Sequence, residues 1–196
     1  MSLWKLINAR WGSGAGETDE VRMDASTNSL QTVTYEHHEI HSGSHFFVVG
    51  YQDLSINNVL DFTWQMPNTT KWTHWKWKIS VESETLWQVY EGATATNPLT
   101  NTVTPLNNNR NSATTSGTTM KYELQADLAA ANADTNVSGA TLIESGIAGA
   151  GKDAGNEARD DEIVLDQNGL YCLRSTASAA GYINFSMQWY EHVDKH

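Results

Sequence analysis

Apolar and polar residues alternate strictly along "TKWTHWKWKISV", residues 70–81. Thr73, Trp75, Trp77, Ile79 and Val81 fall on one side of this run. Trp72, His74, Lys76, Lys78 and Ser80 fall on the other. Successive side chains of a strand point to opposite faces, so a period of two predicts a strand with one face buried. The end of the chain repeats the pattern, with Ile183, Phe185, Met187 and Trp189 set against Asn184, Ser186 and Gln188. "MKYEL" sets Met120, Tyr122 and Leu124 against Lys121 and Glu123. "SHFFVVGYQDL", "NVLDFTW" and "TLWQVYEG" read as further strands, giving roughly eight to ten in all. In "EIVLDQNGLYCLRS", Asn168-Gly169 separates two strand-like runs. Asn-Gly accepts the positive φ of a type I′ turn, so a hairpin is expected there. Helical periodicity is weak everywhere, the best run being "LQADLAAANAD".

Other stretches lack a sustained period. Trp4, Leu6, Ile7 and Trp11 precede the Gly/Ser run "GSGAGE", which suits an arm followed by a linker over residues 1–30. From Thr32 onward the signal is β, and 31–196 is expected to form one domain. Residues 92–119, rich in Asn, Thr and Pro, and 129–161, rich in Ala, Gly and Asp, read as long loops with at most short strands. The expected fold is all-β: a single antiparallel β-sandwich, jelly-roll-like. Trp75, Trp77, Ile79, Phe185, Met187 and Trp189 are expected inside it.

Composition narrows the function. The 196 residues and eight tryptophans suffice for one substantial core. A net charge of −11 repels phosphate backbones and anionic membranes, so neither nucleic acid nor membrane is an expected partner. The lone Cys172 leaves no intrachain disulfide to form and fits a reducing cytosol. No apolar run reaches the roughly 20 residues that span a bilayer.

Candidate chemistry starts with "YEHHEIHSGSHFF", four histidines in residues 37–45. His38-Glu39-Ile40-His41 is one residue short of the zinc-protease spacing. Read as a strand, His37, Glu39 and His41 share a face, but the two imidazoles then stand about 13 Å apart. The expected reading is strand histidines paired with carboxylates or placed at a subunit contact, with no metal. "GIAGAGKD", 146–153, follows the phosphate-loop pattern until Asp153 replaces the Ser or Thr that holds magnesium. A flexible glycine loop is expected instead. Asp153, Glu157, Asp160, Asp161 and Glu162 lack the spacing of a calcium loop. Tryptophans at period-two spacing belong to a core; Trp72, on the polar side, is the candidate exposed aromatic. Nothing here assembles a reaction centre, so no enzyme and no cofactor are expected.

Several stretches together carry a resemblance: "EVRMDASTNSLQTVTYEHHEIHSGSHFFVVGYQDL", "PNTTKWTHW", "YEGAT", "NNNRNSATTSG", "GKDAGNEARDDEIVLDQNGLYCLRS" and "YINFSMQWYEH". In this order, from about Glu20 to His192, they resemble the head decoration (cement, capsid-stabilising) proteins of tailed bacteriophages. The resemblance implies a virion structural protein on the outer capsid surface, made in the bacterial cytoplasm, with the major capsid protein as partner and a homotrimer as its state. Trp4, Leu6, Ile7 and Trp11 are the candidate partner-binding residues. The rival expectation is a carbohydrate-binding or head-fibre, host-recognition sandwich module.

Overall fold

The structure is a computed structural model that describes residues 35–95, 101–125, 135–155 and 162–193. The chain divides into two compact units, 1–38 and 39–196. The arm and linker expected over 1–30 lie outside the described residues, with Trp4, Leu6, Ile7 and Trp11. So does most of the weak helical run 124–134, whose first two residues close a strand.

One helix, α1 (Tyr35–Ser42), opens the described chain. Strands follow as β1 (His45–Leu54), β2 (Val59–Gln65), β3 (Lys71–Val81) and β4 (Thr85–Glu91). Then come the short β5 (Thr94–Ala95), β6 (Asn101–Val103) and β7 (Leu106–Asn107), and β8 (Thr119–Gln125). β9 (Thr135–Asn136), β10 (Thr141–Ala148), β11 (Lys152–Gly155) and β12 (Ile163–Leu165) lead to β13 (Leu170–Ala177) and β14 (Gly181–Val193).

Two antiparallel sheets face each other. Sheet one runs β11-β3-β14-β1-β7, with β12 on the same edge of β3 as β11 but further along it. Sheet two runs β10-β4-β13-β2-β8-β6. Taking β11 and β12 as one interrupted edge strand, the series β1, β2, β3, β4, β10, β11/β12, β13, β14 switches sheets at every step but one, β4 to β10, which are neighbours in sheet two. Four strands per sheet in that interleaved order define a jelly roll. The expected all-β sandwich is therefore the observed one. Its insertion, β5 to β9, adds β7 beside β1 and β8 beside β2. The same insertion thus extends both sheets at one side of the sandwich.

The core forms where the alternating strands face each other. Trp75, Trp77, Ile79, Phe185, Met187 and Trp189 are all buried, as their spacing predicts. Trp64 of sheet two stacks on Trp75 of sheet one at 4.5 Å, and Trp75 continues onto Trp189 at 5.2 Å. Phe62 meets Phe185 across the same gap at 4.8 Å. Each such ring removes 150 Å² or more from water, so these rings dominate the cohesion of the two sheets.

Four expectations need correction. The histidine-rich segment is helical, not a strand. Gly43, with φ 79, ends the helix: its N–H donates to Ile40 O at 3.1 Å, and that of Ser44 to Glu39 O at 3.0 Å. This paired closure needs a left-handed residue after the last turn, and the "SGS" that looks like a plain turn supplies it. A Cβ at Gly43 would also collide with the Ser112 side chain. Second, Asn168-Gly169 does not join a hairpin. β12 belongs to sheet one and β13 to sheet two, so the turn carries the chain across the sandwich. Only Asn168 takes a positive φ, 58°, whereas a type I′ turn needs two. Third, the Gly/Ala-rich stretch 129–161 contains β10, whose eight residues run along the whole of β4 with one irregularity at Ile143. Its Gly146 is where the Trp87 ring packs closest, leaving no room for a Cβ. Fourth, "GIAGAGKD" is not a loop throughout: it ends β10, turns at 149–151 and begins β11. A phosphate loop would open a helix there.

Candidate functional site

The two outer faces of the sandwich differ. On sheet two, Asp61 and Arg174 stand directly opposite each other on β2 and β13 and point away from the core. Both are nevertheless buried. Arg174 Nε and one terminal nitrogen donate to the two Asp61 carboxylate oxygens, each at 2.7 Å. The bidentate fork matches the planar carboxylate and holds the guanidinium above its already high pKa. Cys172, two residues before Arg174 on β13, is fully buried, and burial pushes its thiol up. A protonated, inaccessible thiol is not a nucleophile.

Sheet one offers the chemically varied face. Register sets its outward side chains in rows across β1, β14 and β3: His45–Tyr190–His74, Phe47–Gln188–Lys76, Val49–Ser186–Lys78 and Tyr51–Asn184–Ser80. At one end Val49, Tyr51 and Tyr182 are exposed, and the two tyrosine rings meet edge to face at 6.1 Å. Beside them Lys78 Nζ pairs with Asp153 at 3.0 Å. Hydrogen bonds from Ser80 and Lys78 hold the Asp153 carboxyl below its usual range.

The other end of this face gathers a polar cluster. Glu162, just before β12, accepts from Tyr190 Oη at 2.9 Å and lies 2.9 Å from His74 Nδ1. His74 Nε2 and His192 Nε2 are 2.8 Å apart, and His192 Nδ1 lies 3.1 Å from Val193 O. The His74 and Tyr190 rings stack at 4.5 Å. Oxygen acceptors end this chain of contacts on both sides. Burial lowers the His74 pKa; the hydrogen bond and charge of Glu162 act against this, and the charge of His192 acts with it.

Beyond the cluster, Trp72 is the second residue of β3, opposite His192 of β14. On its other side the β12 register ends at Leu165–Thr73, which sets Asp166 abreast of Trp72. Trp72, Val164, Leu165, Asp166 and Gln167 line an open cleft of about 510 Å³. Trp72 is 44 % exposed, as its place on the polar side of β3 predicts.

The structure scatters the sequence's other candidates. His37, His38 and His41 are exposed on α1. His37 and His41 are one helical turn apart, so the 13 Å strand separation does not apply. His45 is buried at the start of β1, with Nδ1 2.8 Å from Asn108 Nδ2. Of the acidic series, Asp153 and Glu162 take partners at different places along β3, and 157–161 lie outside the described residues. Among the described residues, no three of His, Cys, Asp and Glu group as a metal site, and no helix is long and apolar enough to cross a membrane. Sequence reasoning missed His74, His192 and Asp166 as site residues, and it placed Glu162 only in an acidic series, not beside the histidines. His74 and His192 lie 118 positions apart, and only the β3–β14 register joins them.

Fold and face together define a jelly-roll sandwich with one open, chemically mixed sheet. Comparison with known proteins adds no relative: no family model matches the chain, and no curated protein or solved structure aligns with it significantly.

Proposed function

We propose that this chain is a virion structural protein that binds the outer surface of a phage capsid and stabilises it, with the major capsid protein as partner. The sequence resemblance motivates the reading, and one structural observation supports it. The open face of sheet one carries Val49, Tyr51 and Tyr182 at 61 %, 66 % and 50 % exposure, amid Asn184, Ser186 and Ser80. Exposed tyrosines ringed by small polar groups suit a surface that gains by losing water, because each ring buries much area at little cost in side-chain entropy. A jelly roll is a rigid frame for such a face, and viral shell proteins use this architecture. Binding across neighbouring capsid subunits adds interfaces that bursting must break, so it stabilises the shell by linkage. The role is mechanical, with no chemistry assigned to the protein and no cofactor.

Purified protein mixed with expanded, undecorated capsids should co-sediment with them. A Tyr51→Ala, Tyr182→Ala double variant should melt normally and bind much more weakly. Failure of the intact protein to co-sediment would sink the proposal, and undiminished binding by the double variant would remove the tyrosines from it. The homotrimer implied by the resemblance is tested by sedimentation equilibrium, where a monomer throughout the micromolar range would reject it.

A further inference from the structure

We propose that the cleft at the Trp72 end of sheet one binds a neutral saccharide, with the indole as stacking platform and Asp166 as hydrogen-bonding partner. The inference is independent of capsid binding. It begins with the indole's position. Trp75 and Trp77 bury their rings between the sheets, whereas Trp72 points outward from the same strand and keeps 44 % of its surface in water. A large exposed ring beside a concave wall, rimmed by polar groups, is the usual arrangement of a ligand site.

The wall is already ordered. Two apolar residues line the cleft with the indole: Leu165, which is buried, and Val164, which is 44 % exposed. The Asp166 main-chain N–H donates to Tyr171 Oη at 2.8 Å. Tyr171 Oη in turn donates to Glu91 at 2.6 Å. Gln167 Nε2 donates to Lys71 O at 3.2 Å, tying the wall back to β3. Asp166 and Gln167, which both line the cleft, are thus held by a backbone and an amide nitrogen, and their side-chain oxygens are acceptors by chemistry. A site fixed before binding loses little entropy when it is filled.

The chemistry selects the ligand class. The face of an indole is electron-rich and attracts weakly positive C–H groups; the apolar face of a pyranose ring presents a row of them. The hydroxyls at the ring's edge are donors that match a carboxylate and an amide oxygen. A nucleotide also offers a ring to stack, but Asp166 and the net charge of −11 oppose its phosphates. A volume of about 510 Å³ accommodates one or two sugar rings rather than a long chain.

The test uses the full chain and three probes: maltohexaose, cellohexaose and chitohexaose. Binding is followed by NMR of the tryptophan indole N–H signals, with Trp72 assigned by its loss in Trp72→Phe. At least one probe at millimolar concentration should shift the Trp72 signal. Trp72→Ala should weaken that probe's binding by roughly tenfold or more, Asp166→Asn should weaken it measurably, and Leu86→Ala, at an exposed position on sheet two, should not. Melting curves check that each variant is folded. If none of the probes moves the Trp72 signal, or if binding survives in folded Trp72→Ala unchanged, the proposal is wrong. Because no capsid is present, the outcome does not depend on the decoration reading.

Discussion

Asp61 and Arg174 show how much one pair of side chains carries on the outer face of sheet two. Each is buried, and each supplies what the other's charge requires. Removing one partner takes the bidentate counter-charge from a buried ion, which costs about 3–5 kcal/mol. Asp61→Ala should therefore lower chemical-denaturation stability by that amount. Replacing both with apolar residues of similar size, Asp61→Leu with Arg174→Met, should restore most of it. Equal losses in the single and double variants would show that the pair adds net stability rather than merely satisfying itself. The His74 ring gives a second residue-scale expectation. Its pKa is lowered in the folded protein, chiefly by burial. The unfolded chain then takes up the proton more readily, so stability is present above the ordinary histidine value of about 6.5 and falls as pH drops below it. Melting temperature followed from pH 7 to pH 5 should fall more steeply for the native chain than for His74→Asn. Parallel curves would remove His74 from the acid response.

At the scale of elements, legibility follows how each strand is solvated. β3 and β14 alternate cleanly because one of their faces is core and the other meets water, and both are recognisable from residue order alone. β2 is buried on both faces, so "VLDFTW" reads as a strand but hides the burial of Asp61. β10 escapes notice because its inward residues are small or only half-buried, Gly146 among them. Helix α1 escapes because eight residues with three histidines carry no apolar stripe; its one local mark is Gly43 as the C-terminal stop. The polar cluster and the Trp72 cleft depend on register between distant strands, which no local pattern encodes. Only the outward Trp72 is foreshadowed. Gly50 gives an element-scale test. It faces inward on β1 opposite Phe185, whose ring covers it, and an added Cβ would stand 2.5 Å from that ring. Phe185 is also held against Phe62, so it has little room to retreat. Gly50→Ala should cost about 1–3 kcal/mol by overpacking, read from urea unfolding. An unchanged midpoint would mean that the ring moves freely.

For the molecule as a whole, the order of strands in the sheets fixes when its parts can meet. β14 lies between β1 and β3, pairing with each over ten and eleven positions. β13 lies between β2 and β4 in the same way. The two central strands of the sandwich are thus the last two in order among the described strands. On a ribosome, everything from α1 to β12 emerges before either sheet can close, and its early strands wait with their apolar faces exposed. Long-range pairings of this kind form slowly, and waiting edges invite aggregation or chaperone capture. Chains halted after Asp166 should be degraded rapidly in pulse proteolysis and should bind a hydrophobic dye. Supplying residues 170–193 as a separate peptide should restore protection, since the missing piece is a pair of wedges rather than a domain. A halted chain that resists protease by itself would mean that the early strands find another closure. The same geometry makes release of the final strands from the ribosome the committing step in this protein's biogenesis, whatever surface it later occupies.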